Sequence, residues 1–194
     1  YEHIRFDDHG NPHILAIEPS LRERTVVING VSKTYAMTGW RIGYAAGPRD
    51  LISAMETLQS QSTSNACSVS QAAALAALSG DHTFLADFVA IYRERRDKAL
   101  AMINAIPGLS CKAPGGAFYL FVNCAGLIGR TMPGGTRITT DVDVVLYLLD
   151  SVGVAMIPGS AYGAAPYFRM SIATGVDVIE EGCRRIAKAV AELG

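Results

Sequence analysis

The sequence predicts an α/β protein in two parts, a first with a mainly parallel sheet and then a smaller α+β domain. Three observations support this. Thr25-Val26-Val27-Ile28-Asn29 and Ile42-Gly43-Tyr44-Ala45-Ala46 are short continuous apolar runs, as expected of strands covered on both faces. A long amphipathic pattern near residues 82–106 follows them. Beyond it, strand-like and helix-like segments are segregated, which suits a small α+β layer. The expected domains are residues 1–81 and 82–194, joined by the long helix.

Taken in order, residues 6–12 are dense in turn formers and read as a loop, followed by a short helix over 13–22. The first β-branched run leads through Gly30-Val31-Ser32-Lys33 towards the second strand. Pro48 at a first helical position then opens a helix to about residue 60. Gln59 to Asn65 reads as a polar loop, and Val69 to Leu78 as an Ala-rich helix. Asp81 or Thr83 caps the long helix. Leu85, Phe88, Tyr92, Ala99, Ile103 and Ile106 form its apolar stripe, and Pro107-Gly108 ends it. Pro114-Gly115-Gly116 precedes a strand from Ala117 to Val122, and a mobile Gly-rich loop is expected over 123–137. Thr140 with Asp143 marks the start of a helix that buries Val144, Val145, Leu148 and Leu149. Strands are expected over Val154–Ile157 and Tyr167–Ala173. Thr174 and Asp177 cap a last helix with Ile179, Cys183, Ile186 and Val190 facing inward.

The composition is that of an ordinary folded domain: 49% of the residues are apolar, 18% are charged, and the net charge is −1. Nothing in it suggests a platform for nucleic acid or anionic lipid. No apolar run approaches the roughly 20 residues that cross a bilayer. Cys67, Cys111, Cys124 and Cys183 lie far apart without C-x-x-C or histidine spacing, so no metal site is expected and the thiols read as reduced, in a cytoplasmic setting. The start at Tyr1-Glu2-His3-Ile4, without an initiator methionine or a capping signal, reads as the beginning of a fragment.

Lys33 is the residue with chemical promise. It follows a buried-type strand among small residues, where desolvation lowers an amine pKa, and only the neutral amine attacks a carbonyl. Arg41, eight residues on, offers a planar multi-donor grip suited to phosphate. Taken alone, a solvated loop lysine is the simpler reading.

The local sequence changes that. Asn29-Gly30-Val31-Ser32-Lys33-Thr34-Tyr35-Ala36-Met37-Thr38-Gly39-Trp40-Arg41-Ile42-Gly43-Tyr44 closely resembles the cofactor-lysine segment of class I/II aminotransferases, the aspartate aminotransferase family of fold type I. The resemblance implies pyridoxal 5'-phosphate (PLP) as cofactor, held covalently by Lys33, with Arg41 at its phosphate and Ser32 among its contacts. Gly30 stands where some subgroups place a phosphate-binding serine, so that role is not carried over. Tyr1-Glu2-His3 resembles the end of the family's Asp-x-x-Tyr segment, which implies that Tyr1 meets the cofactor's phenolic oxygen; a frayed terminus is the alternative. Phe168-Arg169-Met170-Ser171 resembles the strand whose arginine grips the substrate α-carboxylate, against a structural ion pair for Arg169. Trp40 and Tyr35 either line the pocket or simply pack.

Across essentially the whole chain the resemblance implies the C-terminal portion of the family fold. The aspartate paired with the pyridine nitrogen would lie three residues before Tyr1, and the fragment alone is expected to be inactive. The implied activity moves an amino group between an amino acid, aspartate or aromatic, and a 2-oxo acid. A carbon–sulfur lyase or cyclopropane-forming synthase on the same scaffold, or the aminotransferase-like domain of a transcription regulator, would carry the same residues. A homodimer is implied, with the Ser62-Thr63-Ser64-Asn65 loop facing the partner, and neither nucleic acid nor membrane is an expected partner.

Overall fold

The structure, a computed structural model, describes residues 1–8 and 12–194. His9, Gly10 and Asn11, part of the turn-rich 6–12 stretch, lie outside the described residues. The chain divides into two compact units: Tyr1–His3 with Asp7–Ala86, and Ile4–Phe6 with Asp87–Gly194. The composition is mixed α/β, in line with the predicted fold class. No single helix among the described residues is long and apolar enough to cross a membrane.

In the first unit, α1 (Ile14–Ile17) and a 3-10 segment (Pro19–Arg24) lead into β1 (Val27–Gly30). After the Lys33 turn come β2 (Gly43–Ala46), α2 (Arg49–Ser62) and α3 (Ser68–Ser79). β1 and β2 pair antiparallel, with Val27 opposite Ala46 and Gly30 opposite Gly43. The parallel pairing expected of the sheet is not present among the described residues. Nor are these strands buried on both faces: Ile28 is 78% exposed, with no described residue of the unit covering it. Pro48 is the N-cap of α2 rather than its first residue, and the helix continues through the polar stretch to Ser62. The small core gathers Val31, Met37, Ile42 and Ala74.

In the second unit, α4 (Phe84–Asn104), which begins in the first unit, buries Tyr92, Ala99 and Ile103. It is followed by β3 (Tyr119–Asn123), α5 (Asp141–Val152), β4 (Ile157–Pro158), β5 (Tyr167–Ser171) and α6 (Val176–Ala191). The strands form an antiparallel sheet in the order β3-β5-β4. Period-two alternation sends Leu120, Val122, Phe168 and Met170 into the core and leaves Tyr119, Phe121 and Arg169 on the opposite face. Each large core side chain contributes roughly 1.5–3 kcal/mol by leaving water.

α5 opens on the expected Thr140/Asp143 capping box and closes on Gly153 in the left-handed region. Its buried face holds Tyr147 where Leu149 was expected: Leu149 is exposed, and the Tyr147 hydroxyl donates to the Ala189 carbonyl at 2.8 Å. α6 carries Ile179, Cys183, Ile186, Ala189 and Val190 inward as its spacing predicts, but its N-cap is Gly175, without the side-chain cap expected of Thr174. The loop expected to be mobile is a hydrogen-bonded hairpin, with Gly129 N–H donating to the Ile138 carbonyl and Thr131 and Gly194 exchanging two backbone bonds. The 4–6 segment is held by backbone bonds as well. Ala117 N–H donates to the Ile4 carbonyl and Phe6 N–H to the Gly115 carbonyl, both at 2.8 Å, which buries Ile4 completely.

Candidate functional site

The turn after β1 is fixed from both ends. Val31 before Lys33 and Thr34 after it are buried, as are Met37 and Ile42 further on, so the turn is pinned to the small core while Ser32 and Lys33 stay half-buried. Tyr35 N–H donates to the Val31 carbonyl at 3.3 Å and Ala36 N–H to the Lys33 carbonyl at 3.2 Å. Gly30 and Gly43 face each other across the ribbon, and a Cβ on Gly30 would meet the Ile42 carbonyl at 3.2 Å, so the strands come together closely where the turn leaves them.

Arg41 adopts the left-handed conformation at φ 52° and ψ 51°, a costly backbone for a side-chain-bearing residue. One of its guanidinium nitrogens donates to the Thr38 carbonyl at 2.9 Å. Arg41 is exposed. Among the described residues Lys33 makes no side-chain hydrogen bond or ion pair, and Arg41 pairs with no carboxylate. From Asn29 to Arg49 the sequence contains no aspartate or glutamate but three cations, Lys33, Arg41 and Arg49. Along the sequence this stretch carries only positive formal charge, which favours an anion.

Two contacts of this unit were not foreseen. The Tyr35 hydroxyl lies 3.3 Å from His82 Nε2, which also lies 2.9 Å from the Ala77 carbonyl, so a histidine given no role braces the lysine turn. Asn29 Nδ2 donates to Glu2 Oε1 at 2.6 Å, tying the segment beside Tyr1 to β1. Burial raises the Glu2 pKa, but hydrogen bonds from Asn29, its own backbone and the amino terminus outweigh this and bring it down to about 2. Tyr1 itself is 43% exposed. No sequence signal links partners as distant as residues 35 and 82.

In the second unit Arg169 is half-buried on the middle strand, and its Cζ lies 4.5 Å from the centroid of the Tyr119 ring and 5.1 Å from that of Tyr162. It forms no salt bridge among the described residues. Ser32, Lys33 and Arg41 thus share one turn, Tyr1 is tied to the same unit through Glu2, and Arg169 belongs to the other. Tyr119 and Tyr162 were missed. Strand alternation alone places Tyr119 on the Arg169 face, but its diagonal position appears only once the register is known.

The model of the family described as aminotransferase class I and II matches residues 1–186. The aspartate aminotransferase of Rhizobium meliloti strain 1021 is 51% identical over 189 residues, covering 97% of this chain and 46% of that protein. The aspartate/prephenate aminotransferase of Cereibacter sphaeroides is also 51% identical, over 96% of this chain and 46% of its own length. The crystal structure of the aspartate aminotransferase from Rhizobium meliloti superposes with a TM-score of 0.96 at 49% identity, over 100% of this chain and 48% of that one. The chain therefore spans about half the length of the relatives it matches. With the family model matching most of the sequence and the fold superposing on a solved relative, this chain belongs to the aminotransferase class I and II family.

Proposed function

We propose that this chain is the C-terminal portion of a cytoplasmic, homodimeric, PLP-dependent transaminase acting between aspartate or an aromatic amino acid and a 2-oxo acid. Residues 1–81 would complete the large cofactor-binding domain, with Ile4–Phe6 lent to a small domain over 82–194. The observation that best supports this is the Lys33 turn: a half-buried lysine that makes no side-chain hydrogen bond or ion pair among the described residues, in a stretch of sequence without aspartate or glutamate that it shares with Arg41. The names of the relatives, aspartate aminotransferase and aspartate/prephenate aminotransferase, favour the two substrate classes.

The donor set fits a phosphorylated aldehyde. Lys33 supplies a nitrogen nucleophile. Arg41 supplies in-plane N–H donors for a phosphate, and Ser32 adds a hydroxyl beside the lysine. Tyr1 would donate to the cofactor's phenolic oxygen. When bound, PLP supplies an electron sink for negative charge at the substrate α-carbon. Lys33 Nζ would accept the α-proton as general base and return a proton as general acid. Arg169 holds the substrate carboxylate, so that the proton to be moved is presented in one orientation.

The deciding test is product analysis on the full-length protein carrying this chain. Transamination yields a 2-oxo acid with the amine retained on the cofactor, and Lys33→Ala should lower the rate by about 10²–10⁴-fold or more. Release of ammonia would identify a lyase, and undiminished turnover by Lys33→Ala would remove the lysine from its role.

A further inference from the structure

We infer that Tyr119 and Tyr162 are positioning residues that hold the Arg169 guanidinium ready for a carboxylate, an inference that rests on the reading of Arg169 as the substrate receptor. Arg169 sits on the middle strand of the small sheet, and its cross-strand neighbours are Phe121 on β3 and Ile157 on β4. Neither neighbour can neutralise or hydrogen-bond a cation. Phe121 stacks instead on Tyr167, with ring centroids 5.0 Å apart and planes 6° from parallel. A half-buried arginine normally meets a carboxylate. Here the described residues give it the rings of Tyr119 and Tyr162, at 4.5 and 5.1 Å.

The distinction is chemical. A carboxylate partner would occupy the in-plane N–H donors that a substrate needs. A ring attracts the cation through its π face and leaves those donors available. The rings therefore supply part of the charge compensation that partial burial demands and narrow the rotamers of a long side chain, without competing for its hydrogen bonds. Tyr119 comes from the strand diagonal to Arg169, and Tyr162 from the 3-10 turn Gly159–Tyr162 after β4, so two separate elements restrain one side chain. The ring is the working part of each tyrosine, and phenylalanine should replace it.

The experiment uses the full-length protein loaded with PLP and two substrate-shaped carboxylates that lack an amine, succinate and 3-phenylpropanoate, titrated by calorimetry. Tyr119→Leu and Tyr162→Leu should each raise Kd for both probes roughly 5- to 30-fold, with PLP affinity unchanged. Tyr119→Phe and Tyr162→Phe should stay within about twofold of wild type. In turnover the Leu variants should raise KM more than they lower kcat, since carboxylate binding serves ground and transition states alike. Leu variants that bind both probes like wild type, while Arg169→Gln abolishes binding, would overturn the positioning role alone. Phe variants as weak as the Leu variants would overturn the ring as its basis. Wild-type binding by Arg169→Gln would remove the receptor reading itself, and the inference with it.

Discussion

Asn29 and Glu2 stand 27 positions apart and are joined by a 2.6 Å hydrogen bond, so the first residues of the chain are anchored to the strand that delivers Lys33. Glu2 has a pKa near 2 in the folded state against an ordinary 4.5. A carboxyl with a depressed folded pKa contributes stability that is fully present above about pH 4.5 and is lost as the pH falls through about 2. Asn29→Ala should cost about 1 kcal/mol at pH 6, allowing for the partial exposure of Glu2, and that gap should shrink towards pH 2. Urea denaturation of both proteins across this range measures it. A gap independent of pH would show that the bond does not perturb Glu2.

The start of α5 offers a similar test in the second unit. Thr140 Oγ1 accepts from Asp143 N–H at 3.2 Å, and Asp143 Oδ2 accepts from Thr139 N–H, Thr139 Oγ1–H and Thr140 N–H. The Thr139 hydroxyl is the largest cause holding the Asp143 pKa near 2, and the backbone N–H groups follow. Thr140→Ala should destabilise the protein by about 1 kcal/mol. Thr139→Val should move the Asp143 pKa upward, as read by NMR titration of its carboxyl carbon. An unmoved titration would mean that the backbone donors suffice.

The elements most legible in the sequence were those whose signals are local. The periodicity of α6, the capping box of α5 and the Lys33 segment all lie within short windows. The exposure of Ile28 was not legible, because a β-branched run says that a strand forms and not what covers it. Thr174 looked like a cap from its residue type, yet the N-cap lies one residue later at Gly175, whose backbone alone makes the transition. His82 with Tyr35, and Arg169 with Tyr119 and Tyr162, depend on chain reversal and register. Single-residue propensity does not contain them.

The four thiols should separate by reactivity. Cys67 is exposed before α3, where the backbone N–H groups of Ser70 and Val69 lower its pKa. Burial pushes the Cys124 thiol up to about 12 and that of Cys183 to about 11. With a disulfide reagent near pH 8, Cys67 should be labelled first, half-buried Cys111 later, and Cys124 and Cys183 only on unfolding. Mass mapping of a time course reads the order directly. Early labelling of Cys183 would indicate that α6 leaves the core under native conditions.

The turn carrying Tyr162 contains two glycines that are required for different reasons, and substitution separates them. A Cβ on Gly159 would run into the Ala164 carbonyl oxygen and lie 2.7 Å from Tyr167 Cβ, and Ala164 N–H also donates back to the Gly159 carbonyl. These are mostly backbone atoms that cannot step aside, so Gly159→Ala should cost about 2–3 kcal/mol as overpacking. Gly163 has open space around it but a φ of +69°. Gly163→Ala should cost about 1–2 kcal/mol through backbone strain alone, and Gly163→Asn should recover part of that, since asparagine tolerates the left-handed region. Thermal unfolding of the three variants checks this. If Gly163→Asn were as damaging as Gly163→Ala, the constraint there would be space rather than conformation. The displaced Gly159 backbone should also shift Tyr162 and weaken carboxylate binding in that variant beyond its loss of stability.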